Sequence, residues 1–132
     1  MAWTVAESYR EYNNGNRTIT LSLVSDANAG TYSIADYLSK IKGMFLYLVK
    51  CTPGTGGDAP TGTYDLDLED AGSSHILDTD ANANNAVAFH EGSATLGRDP
   101  MILDVLTVVC ATLGNANTAT VCLYFTNVPQ IT

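Results

Sequence analysis

GMFLYLVKCTPGTGGDAPTGTYDLDLEDAG, residues 43–72, is the stretch whose reading decides the fold. Its second half alternates: Tyr64, Leu66 and Leu68 fall on one side, Asp65, Asp67 and Glu69 on the other. Period two with one apolar and one charged set is the pattern of a strand buried on one face and wet on the other. Met44 to Val49 is apolar on both faces, as a strand inside a sheet rather than at its edge requires. Between the two, Pro53-Gly54 and Gly56-Gly57 turn the chain, Pro60 stiffens its return, and Ala71-Gly72 closes the stretch with a turn.

Toward the N-terminus, residues 4–12 and 16–25 flank Asn13-Asn14-Gly15, a strong hairpin signal. A three-residue loop with Gly15 left-handed sets Glu11 against Arg17 and Tyr9 against Ile19. Ile19, Leu21 and Leu23 then form the buried face. After a loop at 26–30, Ile34, Tyr37, Leu38 and Ile41 follow the i, i+3, i+4, i+7 spacing, and Ser33 with Asp36 resembles a capping box. That spacing predicts one short helix over about residues 33–41, with a turn plus a short strand as the alternative.

Toward the C-terminus, Ser74–Leu77 and Ala86–His90 read as short strands around a polar loop, 78–85. Pro100 opens a long strand, Met101–Thr112, apolar enough on both faces to be central. Residues 119–127 return as another, with Val121, Leu123 and Phe125 alternating against Cys122 and Tyr124. The expectation is an all-β, antiparallel β-sandwich or β-barrel of seven to eight strands with at most that one helix. Residues 1–132 read as a single β domain, with extended arms at 1–5 and 128–132.

Charge excludes whole classes of partner. Six basic against fourteen acidic residues give a net charge of −8, and no Lys/Arg cluster overrides it locally. A field of that sign repels phosphate backbones, so neither nucleic acid nor an anionic membrane surface is an expected partner. No apolar run reaches membrane-spanning length, and the first residues lack the basic-then-apolar order of a signal peptide. Cys51, Cys110 and Cys122 show no CxxC spacing that would suggest zinc. A hairpin centred on Ala116 would bring Cys110 opposite Cys122 and permit a disulfide; the bland reading is three small buried hydrophobes.

Catalytic motifs are missing. His90-Glu91-Gly92 lacks the second histidine of a zincin helix, Gly54-Thr55-Gly56-Gly57 lacks the GK[ST] of a phosphate loop, and Gly92-Ser93-Ala94 lacks the frame of a nucleophile elbow. The chain is expected to be no enzyme and to need no cofactor. Asp78, Asp80, Asn82 and Asn84 sit at alternate positions like calcium-loop ligands. However, Ala83 replaces the required glycine and Phe89 the closing glutamate, so they are weak candidates. Trp3, without a place in the hairpin register, and Pro129 and Ile131 in the tail are candidate interface residues. Trp3, Tyr9, Tyr12, Tyr32 and Tyr37 gather in the N-terminal third, which keeps sugar binding open.

Three segments carry a family resemblance: Ser25-Asp26-Ala27-Asn28-Ala29-Gly30; Gly43-Met44-Phe45-Leu46-Tyr47-Leu48-Val49; and Ala59-Pro60-Thr61-Gly62-Thr63-Tyr64-Asp65-Leu66-Asp67-Leu68. Together they resemble small β-rich proteins encoded among the virion genes of tailed bacteriophages, whose pattern includes P-T-x-x-Y-D-[IL]-x-L-x-D-x-x-G. The resemblance spans residues 19–125 and departs at the helix and beside the polar loop. It implies a structural protein decorating or cementing the capsid exterior, synthesised in the host bacterial cytoplasm. The implied partners are the major capsid protein or neighbouring virion subunits, in a homo-oligomer with a trimer favoured. The competing readings are a neck or tail component, and a β-sandwich carbohydrate- or receptor-binding module.

Overall fold

The computed structural model describes residues 4–24, 29–34, 36–72, 74–83, 85–111 and 117–127. Its strands are β1 (Thr4–Glu11), β2 (Arg17–Val24), β3 (Ala29–Ile34), β4 (Phe45–Pro53), β5 (Tyr64–Glu69), β6 (His75–Asn82), β7 (Ala88–Glu91), β8 (Leu106–Ala111) and β9 (Thr118–Thr126). One helical turn, α1 (Leu38–Ile41), and a 3-10 turn at Gly56–Asp58 complete the elements. The front sheet runs β1-β2-β9-β4-β7 and the back sheet β3-β8-β5-β6, with every pairing antiparallel. Among the described residues both sheets have free edges, so the fold is a β-sandwich and not a closed barrel. Strands β2–β9 follow the order of a jelly roll, with β1 added outside β2.

Alternation builds the core. In β5 Tyr64, Leu66 and Leu68 are fully buried, as the period predicts, and Asp65, Asp67 and Glu69 face outward. Ile19, Leu21 and Leu23 of β2 and Val121, Leu123 and Phe125 of β9 face them from the front sheet. The hairpin matches its expected register, Glu11 opposite Arg17 and Tyr9 opposite Ile19. Gly15 has φ +86°, the left-handed conformation that closes a three-residue loop. β4 is internal, between β9 and β7.

Four expectations are corrected. The predicted 33–41 helix shrinks to α1, because Ser33 and Ile34 belong to β3. Ile34 pairs with Leu106, and the Ser33 hydroxyl meets that of Thr107 at 3.3 Å instead of capping a helix. The apolar spacing recorded burial, which a strand followed by a turn satisfies equally well. Second, much of the supposed 78–85 loop is strand β6, whose polarity is tolerated because it is an edge strand. The additional strand β3 brings the count to nine among the described residues.

Third, the strand expected over 101–112 begins only at Leu106. Residues 100–102 instead lie along the start of β4, with Ile102 N–H donating to the Met44 carbonyl at 2.8 Å and Leu46 N–H to the Pro100 carbonyl at 3.0 Å. The chain crosses between sheets there, and β8 is indeed central in the back sheet. Fourth, β8 and β9 lie in opposite sheets and form no hairpin, so Cys110 and Cys122 are not cross-strand partners. All three cysteines are free thiols; Cys51 and Cys110 are buried and Cys122 half-buried on the outer front face. Burial pushes the Cys51 and Cys110 thiols up to about 12, leaving them as inert packing groups.

Within the arm expected at 1–5, Thr4 and Val5 belong to β1, pairing with Val24 and Leu23, and Val5 packs on the core. Trp3, Pro129 and Ile131, like Asn84, lie outside the described residues.

Candidate functional sites

Side chains converge at three places. On the outer back face Asp67 of β5 stands opposite Asp78 of β6. His75 brings a ring nitrogen to the pair, so that ligand atoms of all three residues lie within 4.8 Å of one another. Burial, then the hydrogen bond to Asp78, then the Asp78 charge push the Asp67 carboxyl up to about 6; the Thr79 N–H and His75 pull the other way. His75 Nε2 also lies 3.5 Å from Glu69 Oε2. Donors of this kind suit a divalent cation, while a shared proton relieves the same repulsion.

Asp78 and Asn82, the two expected calcium ligands whose side chains are described, do not converge. Asp78 faces outward and Asn82 is buried, so the two point to opposite sides of one strand. Nothing is described of the Asp80 side chain. Asn82 has a structural task instead. Its Oδ1 lies 2.6 Å from His90 Nε2, and its Nδ2 donates to Thr79 Oγ1 at 3.0 Å, which in turn donates to the Leu66 carbonyl. This chain of bonds ties β7 of the front sheet to β6 and β5 of the back sheet. Burial holds His90 below its usual range, keeping the ring neutral.

The second place is an open cleft of about 600 Å³ on the outer front face, lined by Tyr12, Asn13, Asn14, Asn16, Tyr47 and Tyr124. The β1–β2 turn supplies the first four. Asn14 Oδ1 accepts the Asn16 N–H at 3.0 Å, which fixes the turn. Tyr124 comes from β9, paired with Thr18 of β2. Tyr47 sits at a β-bulge of β4, where the register slips between Leu46 and Leu48; bulges re-aim side chains. Gly92 pins that bulge by donating its N–H to the Tyr47 carbonyl at 2.9 Å. The Tyr47 and Tyr124 rings lie 6.1 Å apart at 58°, and the Arg10 guanidinium rests 4.7 Å over the Tyr12 ring. Burial, then the contact with Cys122, push the Tyr124 hydroxyl up to about 12, so it stays protonated as a donor.

Of the tyrosines singled out in the sequence, only Tyr12 reaches this cleft. Tyr9 stacks on Tyr37 at 5.1 Å, and the Tyr32 hydroxyl donates to Glu7 Oε2 at 2.6 Å, so these three brace β1 and β3. Sequence reading missed Tyr47 and Tyr124; the signal within reach was a tyrosine beside an asparagine-rich turn.

The third place is a hollow of about 710 Å³ at one end of the sandwich, where residues 96–106 cross between sheets. Leu103, Met101 and Leu96 stand 65%, 47% and 49% exposed on it, an unusual concentration of apolar surface for a chain of this charge. Asp70, Arg98 and Asp104 also line it.

No protein-family model and no curated protein matches this chain. Among solved structures it is similar to the C-terminal family 22 carbohydrate binding module of Clostridium thermocellum Xyn10B, studied for the role of conserved amino acids of its cleft in ligand binding. Identity is 14% over 98% of this chain and 85% of that one, with a TM-score of 0.41. That likeness is too loose to bear on what this chain binds.

Proposed function

We propose that this chain is a non-enzymatic structural protein of a tailed-bacteriophage virion, decorating or cementing the capsid exterior. The observation that carries the reading is the jelly-roll strand order, an architecture used by capsid proteins. The residues that resemble the virion family, Pro60-Thr61-x-x-Tyr64-Asp65, lead into the internal strand β5. Fold alone does not specify function; two surface properties support this use of it. The apolar hollow around Leu103 and Met101 offers a subunit contact, and the −8 charge suits a surface facing water rather than packaged DNA. The partners are the major capsid protein or neighbouring virion subunits, with the chain itself a homo-oligomer.

Mass spectrometry of purified particles from a phage carrying this gene, with the native mass of the isolated chain, tests it. The expected result is many copies per particle and a trimer in solution. Leu103→Asp should weaken attachment at least tenfold, about 1.4 kcal/mol, without unfolding the domain. A few copies per particle moves the protein to the neck or tail; absence from the particle overturns the reading.

A second reading, a recognition module for a carbohydrate or receptor, is favoured by one observation: the tyrosine and asparagine cleft on the outer front face.

A further inference from the structure

We propose that the cleft between Tyr12, Tyr47 and Tyr124 binds a neutral saccharide without the help of a metal ion. This rests on the second reading above and names its ligand class.

A pyranose ring presents an apolar C–H face and a rim of hydroxyls that both donate and accept. It is held where aromatic faces and two-way hydrogen-bonding groups stand side by side. The cleft has that pairing. Tyr47 and Tyr124, tilted at 58°, do not close face to face on each other, in contrast with Tyr9 and Tyr37, stacked at 16°. Asn13, Asn14 and Asn16 line the same opening, the Asn14 Oδ1 already accepting the Asn16 N–H. Tyr47 and Tyr124 are carried by paired strands with two side-chain torsions each, so little freedom is lost on binding. About 600 Å³ lies within the usual range of ~300–1,000 Å³ for small-ligand sites.

The charges select among sugars. None of the described lining residues is ionic at neutral pH, and the guanidinium beside the cleft, Arg10, is already seated on Tyr12. The chain's net charge of −8 disfavours sialylated or phosphorylated glycans. The described lining residues include no carboxylate that would recruit calcium to bridge sugar hydroxyls.

The test is saturation-transfer NMR on the full chain with cellobiose, maltose, lactose and N,N′-diacetylchitobiose, with 3′-sialyllactose as the anionic control, before and after EDTA. At least one neutral disaccharide is expected to receive saturation and to shift tyrosine ring resonances, with EDTA changing nothing. Tyr47→Ala and Tyr124→Ala should each weaken it at least tenfold, and Phe89→Ala, on the same face but outside the cleft, should not. Where a tyrosine variant unfolds, Asn13→Ala in the exposed turn and the wild-type ring shifts decide. No binding by any neutral disaccharide, dependence on metal, or indifference to all cleft variants overturns the proposal. Ring shifts produced by sialyllactose alone overturn the neutral assignment and leave the recognition reading standing. A null panel, together with Tyr47→Ala and Tyr124→Ala particles that adsorb normally to host cells, removes both.

Discussion

Asp67 and Asp78 face each other across β5 and β6, and burial together with the neighbouring Asp78 carboxyl holds the Asp67 carboxyl above its usual range. Like charges directly opposite on neighbouring strands destabilise a sheet. Among the described residues, Glu69 and Asp65 on β5 and His75 on β6 lie beside this pair, while β8 contributes the uncharged Val109 opposite Asp67.

This arrangement predicts a sign for the pH dependence. The folded Asp67 carboxyl titrates at about 6, above its ordinary 3.8, so between those values the folded state holds more proton than the unfolded one. Its stabilisation is therefore full below about 4 and is lost as pH rises through 6. Asp67→Asn, which cannot charge, should flatten that part of the stability curve. It should also raise stability at pH 7.5 by roughly 0.5–1 kcal/mol, because the site is largely open to screening solvent. Urea melts of both proteins across this range check it; identical slopes refute the pairing.

Tyr64 and Leu66 give opposite expectations on one buried face. The Tyr64 hydroxyl has no hydrogen-bond partner among the described residues although the side chain is fully buried. Tyr64→Phe removes an orphaned polar atom and should raise stability by about 1 kcal/mol. Leu66→Ala, on the same face, should cost about 2–5 kcal/mol. Chemical denaturation measures both, and a loss in Tyr64→Phe would mean that the hydroxyl is satisfied.

Gly92 is required for closeness, not for an unusual φ. A Cβ there would stand 2.0 Å from the Leu46 carbonyl oxygen and 2.7 Å from its carbon. Gly92→Ala must push the turn off β4 and should cost more than about 2 kcal/mol. Because Gly92 also holds the Tyr47 bulge, the substitution should disturb the ring resonances of Tyr47 and Tyr124 even below the melting transition. An unperturbed Gly92→Ala spectrum would contradict the contact.

What was legible in the chain was local. The alternation of residues 64–69 and the Asn13-Asn14-Gly15 turn reported burial and register directly, since period and turn chemistry act over a few residues. Only the start of β6 was legible, at Ser74–Leu77; its continuation from Asp78 was not, because an edge strand need not be apolar and Asp78 resembles a loop residue. Ile34 was misassigned because helix spacing and a strand-then-turn bury the same positions. The cleft was hidden for a different reason. Tyr12, Tyr47 and Tyr124 come together only because β9 inserts between β2 and β4, a long-range fact that no local pattern carries.

The same strand order governs how the chain reaches its fold. Of the seven strand pairings, only β1–β2 and β5–β6 join neighbours in sequence. Every other pairing closes a longer loop, and β2 waits for β9, the last strand, before its second edge is covered. Loop closure of this kind must precede the contacts that reward it, which places folding in the slow, millisecond-to-second class of β topologies. Until β9 arrives, the inner face of the front sheet is open to other chains. During synthesis the period of greatest aggregation risk therefore lasts until β9 has been made.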